Sequence, residues 1–179
     1  MSAGEPRRAD AVTGLMLHLR LTAVLLALAL AASAARAGGI PLKTLDGKDT
    51  TLADQVEAGR WTLMMMWTTY CGICRKQYPI VSEFHDRHHG KDASVIGIAL
   101  DGYDALEAVR AYVAKKPFSF PTVVGEADVV GAAFEHATEQ AFTGTPTYLL
   151  FDPERKLVAT KSGEVTLAVL ESAIARARE

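Results

Sequence analysis

The sequence predicts an α/β fold, a sheet with a parallel core flanked by helices. Two nearly continuous apolar runs, Trp61–Trp67 and Ala93–Leu100, suit strands buried on both faces, as parallel sheets require. Apolar stripes at helical spacing follow each run, and the links between elements are short. That alternation argues right-handed crossovers around one core. A chain of 179 residues, 49% apolar, suits a single domain with a sizeable core.

Each element has its own signal. Leu42–Leu45 and Thr50–Leu52 flank Asp46-Gly47-Lys48-Asp49, and Asp-Gly between two short apolar-bearing runs marks an N-terminal β-hairpin. Within Trp61–Trp67, the run Met64-Met65-Met66 has the composition of a copper(I) site. A strand sends successive side chains to opposite faces, so these three fill the core instead. The next helix begins after Cys71 and runs to about His88 or His89, with Cys74, Tyr78, Val81 and Phe84 on its buried side. Pro79 lies inside it and predicts a kink, and Gly90 is its stop. His85, His88 and His89 crowd the end of that helix. They are read as groups covering its last carbonyls rather than as metal ligands.

Ala93–Leu100 is the second buried strand. Asp104 and Glu107 have the spacing of a capping box opening a helix striped by Leu106, Val109 and Val113 and ended by Pro117. Phe120–Val124 is a short strand. Val129, Val130, Ala133, Phe134 and Ala137 stripe a helix from Asp128 onward. Tyr148–Phe151 is a strand that starts just after Pro146, an unusual place for a residue without a backbone donor. Asp152–Arg155 is a turn, and Leu157–Lys161 a further strand. Leu167, Leu170, Ile174 and Ala177 stripe a closing helix, with Arg176 and Arg178 suited to its C-terminus.

The chemistry concentrates at Cys71-Gly72-Ile73-Cys74, which holds both cysteines of the chain. A strand that stops at Cys-x-x-Cys and continues as a helix is a redox arrangement. Free N–H groups and the helix dipole favour a thiolate at Cys71, and a lowered thiol pKa makes it the attacking sulfur. Cys74 lies one turn on, on the same face, within reach for a disulfide. As a structural clip, so short a loop would remove little chain entropy. A zinc site is disfavoured because no second cysteine pair completes four ligands.

The stretch from Trp67 to Pro79, with Gly144-Thr145-Pro146-Thr147 downstream, resembles the thioredoxin superfamily, and within it the exported TlpA/ResA/CcmG branch of thiol-disulfide oxidoreductases. The likeness runs from about Leu42 to the C-terminus. It implies a thioredoxin-like fold: a central mixed sheet flanked by helices, with an N-terminal β-hairpin and Leu157–Lys161 as an antiparallel edge. It implies Cys71 and Cys74 as the catalytic pair, with Trp67, Tyr70, Thr145 and Pro146 as supporting or substrate-binding residues. Thr145-Pro146 would be cis, offering the Thr145 backbone to an extended substrate. The resemblance further implies reduction of disulfides in exported clients and re-reduction by a membrane electron donor of the DsbD/CcdA kind. Haem-site cysteines of apocytochrome c (cytochrome c biogenesis), copper-site assembly proteins and general periplasmic disulfides all fit as clients.

Several positions depart from the family pattern. Tyr70 stands where many relatives have Trp before the first Cys, and Ile73 where many have Pro. Met65 occupies the place of a buried Asp, and Gln77 the place of a Glu that can take a proton. Asp101, at a strand end, is a candidate proton acceptor, with a turn-forming role the plainer expectation.

Net charge is −2 and the basic residues are scattered, which gives no nucleic-acid footprint. Leu21–Ala32 is a short apolar run preceded by Arg20, and Ala35-Arg36-Ala37 has the small-x-small pattern of a cleavage site. The run is shorter than the ~20 residues a spanning helix needs, so residues 1–37 are expected to be a signal peptide cleaved after Ala37. Met16 is an alternative start. Residues 38–179 form the thioredoxin-like domain, expected in the periplasm as a monomer, without cofactor or metal. The alternatives are a copper chaperone using the same Cys pair, and a thiol peroxidase. The peroxidase pattern lacks its proline ahead of the cysteine.

Overall fold

A computed structural model describes residues 39–116 and 118–176. A seven-stranded mixed sheet forms its centre, in the order β2-β1-β5-β4-β3-β6-β7. The strands are β1 (Pro41–Thr44), β2 (Asp49–Thr51), β3 (Trp61–Trp67), β4 (Ala93–Ala99), β5 (Thr122–Val124), β6 (Thr147–Phe151) and β7 (Leu157–Ser162). The helices are α1 (Gly72–His88), α2 (Leu106–Ala114), α3 (Ala127–Thr138) and α4 (Leu167–Arg176). The three middle strands, β5, β4 and β3, run parallel. An antiparallel pair completes each side: β1 with β2 beyond β5, and β6 with β7 beyond β3. The mixed sheet and the opening hairpin both follow the expectation. At the hairpin, Gly47 takes φ of 86°, and its N–H donates to Thr44 O.

Strand β3 is buried along its whole length, and its period of two divides the core. Leu63, Met65 and Trp67 pack on one face with Tyr78, Val81 and Phe84 of α1, Val109 of α2, and Leu170 and Ile174 of α4. Met64 and Met66 pack on the other with Leu42, Ile98, and Val130 and Phe134 of α3. The three methionines thus point to opposite layers and fill space in both.

Several local expectations are corrected. The Asp104–Glu107 capping box does not form: Tyr103–Ala105 is a 3-10 turn, and α2 begins at Leu106 with no side-chain cap. Glu126 reaches across to accept the Tyr103 N–H instead. Strand β5 starts at Thr122 rather than Phe120, because Pro121 has no N–H and contributes only its carbonyl, to Gly97 N. In α3, Val129 and Ala137 face solvent while Gly131 is buried, since adjacent residues on a helix lie ~100° apart and Val130 takes the core side. Pro117, Ala177 and Arg178 lie outside the described residues, as does the whole of the expected signal peptide.

The histidines at the end of α1 are corrected as well. His85 is buried, and its Nδ1 accepts the Val95 N–H. His88 links Asp92 through Nδ1 and Glu171 through Nε2, each at 2.8 Å. Lys91 Nζ, not a histidine, covers a late carbonyl, that of Arg87.

Candidate redox site at the tip of the first helix

The site begins where β3 runs out. Leu100 N donates to Trp67 O, holding the strand end beside β4. The chain then turns: Cys71 N donates to Thr68 O, and Cys71 becomes the N-cap residue of α1 with extended backbone. The loop is fixed from the side by Asp101, whose carboxylate accepts both the backbone N–H and the hydroxyl of Thr69. Asp101 is therefore a brace for the segment leading to Cys71. Its signal in the sequence was only an acid at a strand end.

Cys71 and Cys74 are joined as a disulfide, with Cα atoms 5.3 Å apart. Cys71 is half-buried, whereas Cys74 has no exposed surface. Cys74 N donates to Cys71 Sγ at 3.0 Å, so one of the free N–H groups of the helix end is aimed at that sulfur. An anionic sulfur at Cys71 would be favoured by that donor and by the helix dipole. In the oxidised pair, Cys71 is the sulfur an incoming thiolate can reach.

Thr145 and Pro146 come to the same place from the other side of β3. Their peptide bond is cis, and Thr145 O lies 3.5 Å from Cys71 Sγ. Gly163 N holds Pro146 O at 2.9 Å, and Thr147 Oγ1 donates to Gly144 O. Thr145 is half-buried and Pro146 buried. Around the mouth, Tyr70 is 78% exposed and Ile73 is 45% exposed. An apolar rim beside Cys71 and the Thr145 backbone can receive an extended chain carrying a disulfide.

Trp67 lies beneath, fully buried, and does not reach the surface. Its ring meets Tyr78, Tyr112 and Phe118, with centroids 5.2 to 5.7 Å away. Burial, and then Tyr112, pushes the Tyr78 phenol far up, so it stays protonated. Met65 belongs to the same core cluster as Cys74, leaving a thioether in the position where a buried carboxylate is familiar. Gln77, three residues past Cys74, is also buried. Its Oε1 accepts from Tyr148 OH and from Val165 N, each at 3.0 Å.

Comparison with known proteins agrees with this geometry. A model of the AhpC/TSA family matches residues 34–160. The chain belongs to the AhpC/TSA family. Among similar proteins is the sporulation thiol-disulfide oxidoreductase A of Bacillus subtilis, 24% identical over 73% of this chain and 74% of that protein. The thiol-disulfide oxidoreductase ResA of Bacillus cereus is 27% identical over 71% of this chain and 68% of its own length. Solved structures share the thioredoxin-like fold. A thiol:disulfide interchange protein DsbE from Chlorobium tepidum superposes with a TM-score of 0.63 at 21% identity, covering 79% of this chain and 94% of that one.

Proposed function

We propose that this protein is a thiol-disulfide oxidoreductase that reduces disulfides of exported client proteins. The observation that carries this reading is the pairing of a half-buried Cys71, its sulfur 3.5 Å from the carbonyl that precedes the cis proline, with a fully buried Cys74. In the reduced form the Cys71 thiolate attacks a client disulfide, and the first client sulfur leaves. Cys74 then attacks Cys71 Sγ, its proton passing to the second departing client sulfur. The client gains two electrons, and one proton from Cys74. Its first sulfur, released as a thiolate, takes its proton from solvent, to which Cys71 lost one on ionising, and the Cys71–Cys74 disulfide results.

The reading extends to the cell. Residues 1–37 serve as a cleaved signal, and residues 38–179 work in the periplasm as a monomer. A membrane electron donor of the DsbD/CcdA kind restores the dithiol. Support comes from the names of the relatives and from the apolar run ahead of the domain. Among the described residues no helix is long and apolar enough to cross a membrane.

The direction of electron flow is tested by equilibrating the protein with graded thiol/disulfide buffers. A reductant is expected nearer to about −270 mV, where thioredoxin lies, than to about −120 mV, where a strong oxidant lies. A value at the oxidising end would remove the reductase assignment and leave the exchange chemistry standing.

A further inference from the structure

The side-chain oxygen of Gln77 is hydrogen-bonded to Tyr148 and Val165, and two short routes lead from it to the segment that faces the sulfurs. Its side-chain oxygen is the junction. The first route is through Tyr148, whose hydroxyl donates to Gln77 Oε1 at 3.0 Å. Tyr148 lies two residues after Pro146, and a strand places such neighbours on one face. The second route is through Val165, whose N–H donates to the same oxygen at 3.0 Å. Val165 lies two residues after Gly163, whose N–H holds Pro146 O at 2.9 Å.

These contacts close a ring. From Cys71 the chain enters α1 and passes Cys74 to Gln77. Hydrogen bonds then cross to β6 and to the 163–165 segment, both tied to Pro146. From Thr145 O the gap back to Cys71 Sγ is 3.5 Å. Gln77 is 3% exposed, and Tyr148 2%, so water does not compete for the junction. A carboxamide oxygen has two lone pairs, and both are engaged here.

We propose that Gln77 is a positioning residue: its side-chain oxygen fixes the Thr145–Pro146 segment against the Cys71–Cys74 helix, and so sets how well an extended, disulfide-bonded peptide is held beside Cys71. This rests on the exchange reaction proposed above. It separates two kinds of substrate. An extended peptide uses the Thr145 backbone as well as Cys71, and so depends on the spacing between them. A small symmetric disulfide needs only the sulfur.

The test uses reduced full-length protein and two oxidants: an extended cysteine peptide in mixed disulfide with glutathione, and 2-hydroxyethyl disulfide. The readout is the ratio of the two second-order rate constants, in which any change in Cys71 nucleophilicity cancels. The wild type is expected to favour the peptide. Gln77→Leu removes the acceptor and should cut the ratio by about tenfold or more, since small misplacements act on this scale. Gln77→Glu keeps an acceptor oxygen and should hold the ratio close to wild type. Tyr148→Phe removes one donor at little cost to packing and should lower the ratio in the same direction, which keeps the test alive if Gln77→Leu does not fold. An unchanged ratio in Gln77→Leu or Tyr148→Phe would overturn the proposal. So would equal losses with both oxidants, which mark a merely structural role, or a Gln77→Glu protein that behaves like Gln77→Leu. A wild type that shows exchange without preferring the peptide would remove the Thr145 platform and this inference with it. A wild type inert to both would strike the exchange reading first.

Discussion

Cys71 Sγ and the carbonyl oxygen of Thr145 lie 3.5 Å apart although 74 positions separate them in the chain. The sheet makes this meeting. Strand β6 runs antiparallel beside β3, with Met66 opposite Thr147, so the start of one strand arrives where the other ends. The helix tip and the cis proline are thereby brought to the same edge. The stability of that edge depends on residues that carry no redox chemistry themselves.

Asp101 is the first of these. Replacing it with Ala strips the Thr69 N–H and hydroxyl of their acceptor. A partly buried donor left unpaired costs about 1–3 kcal/mol. Urea unfolding of Asp101→Ala should show a loss in that range, and Asp101→Asn, which keeps one acceptor oxygen, a smaller one. Equal midpoints for all three proteins would show that the brace holds nothing.

Gly97 is the second. A Cβ there would stand 2.8 Å from Thr122 Oγ1 and 2.9 Å from Trp67 Nε1. Neither atom belongs to a flexible side-chain end, because Trp67 is fixed among three aromatic rings. Gly97→Ala should therefore destabilise by about 1–3 kcal/mol through overpacking, and should shift the fluorescence of Trp67. A neutral thermal midpoint with an unchanged emission spectrum would contradict the close approach.

Met65 is fully buried against the cluster that contains Cys74. Met65→Ala should cost about 2–5 kcal/mol, the usual loss for a large-to-small change in a core. Denaturant midpoints at constant m-value measure it. A cost well under 1 kcal/mol would mean that the site collapses around the missing side chain.

His85 predicts a pH dependence. Burial, and then the neighbouring His89, lower its pKa from the ordinary value of 6.5. As pH falls below about 6.5 the unfolded chain takes up a proton that the folded chain refuses, so stability falls with pH through that window. Above it both states are neutral and the group contributes no slope. His85→Gln keeps an acceptor for Val95 N without titrating, and should flatten the slope between pH 7 and 5. An unchanged slope would assign it to other groups.

Much of the fold was legible because its signals are local. The run at Trp61–Trp67, the Asp46-Gly47 turn and the stripe of α1 each follow from a period or a turn residue. The elements that were misread are those decided by a distant partner. Tyr103 N found Glu126, so the nearby capping box was never needed. His88 found Glu171, 83 residues away, and left the helix carbonyls to Lys91. At the site, Cys71, Cys74, Thr145 and Pro146 were marked by motif. Asp101 was noticed only as a turn former or candidate proton acceptor, and Gln77 only as a residue that cannot carry the proton its family counterpart takes, because hydrogen bonds to a backbone 32 or 88 residues away leave no trace in spacing. Trp67 carried an aromatic signal that does not distinguish a rim from a floor, and the structure places it in the floor.

The most direct test of the account is trapping. Reduced Cys74→Ser protein, mixed with a disulfide-bonded client, should accumulate a mixed disulfide on Cys71, seen by mass spectrometry as one client chain per protein. Wild type should turn over without accumulating it, and Cys71→Ser should do neither. A Cys74→Ser protein that captures nothing, or a Cys71→Ser protein that reduces the client as well as wild type, would contradict exchange at this helix tip.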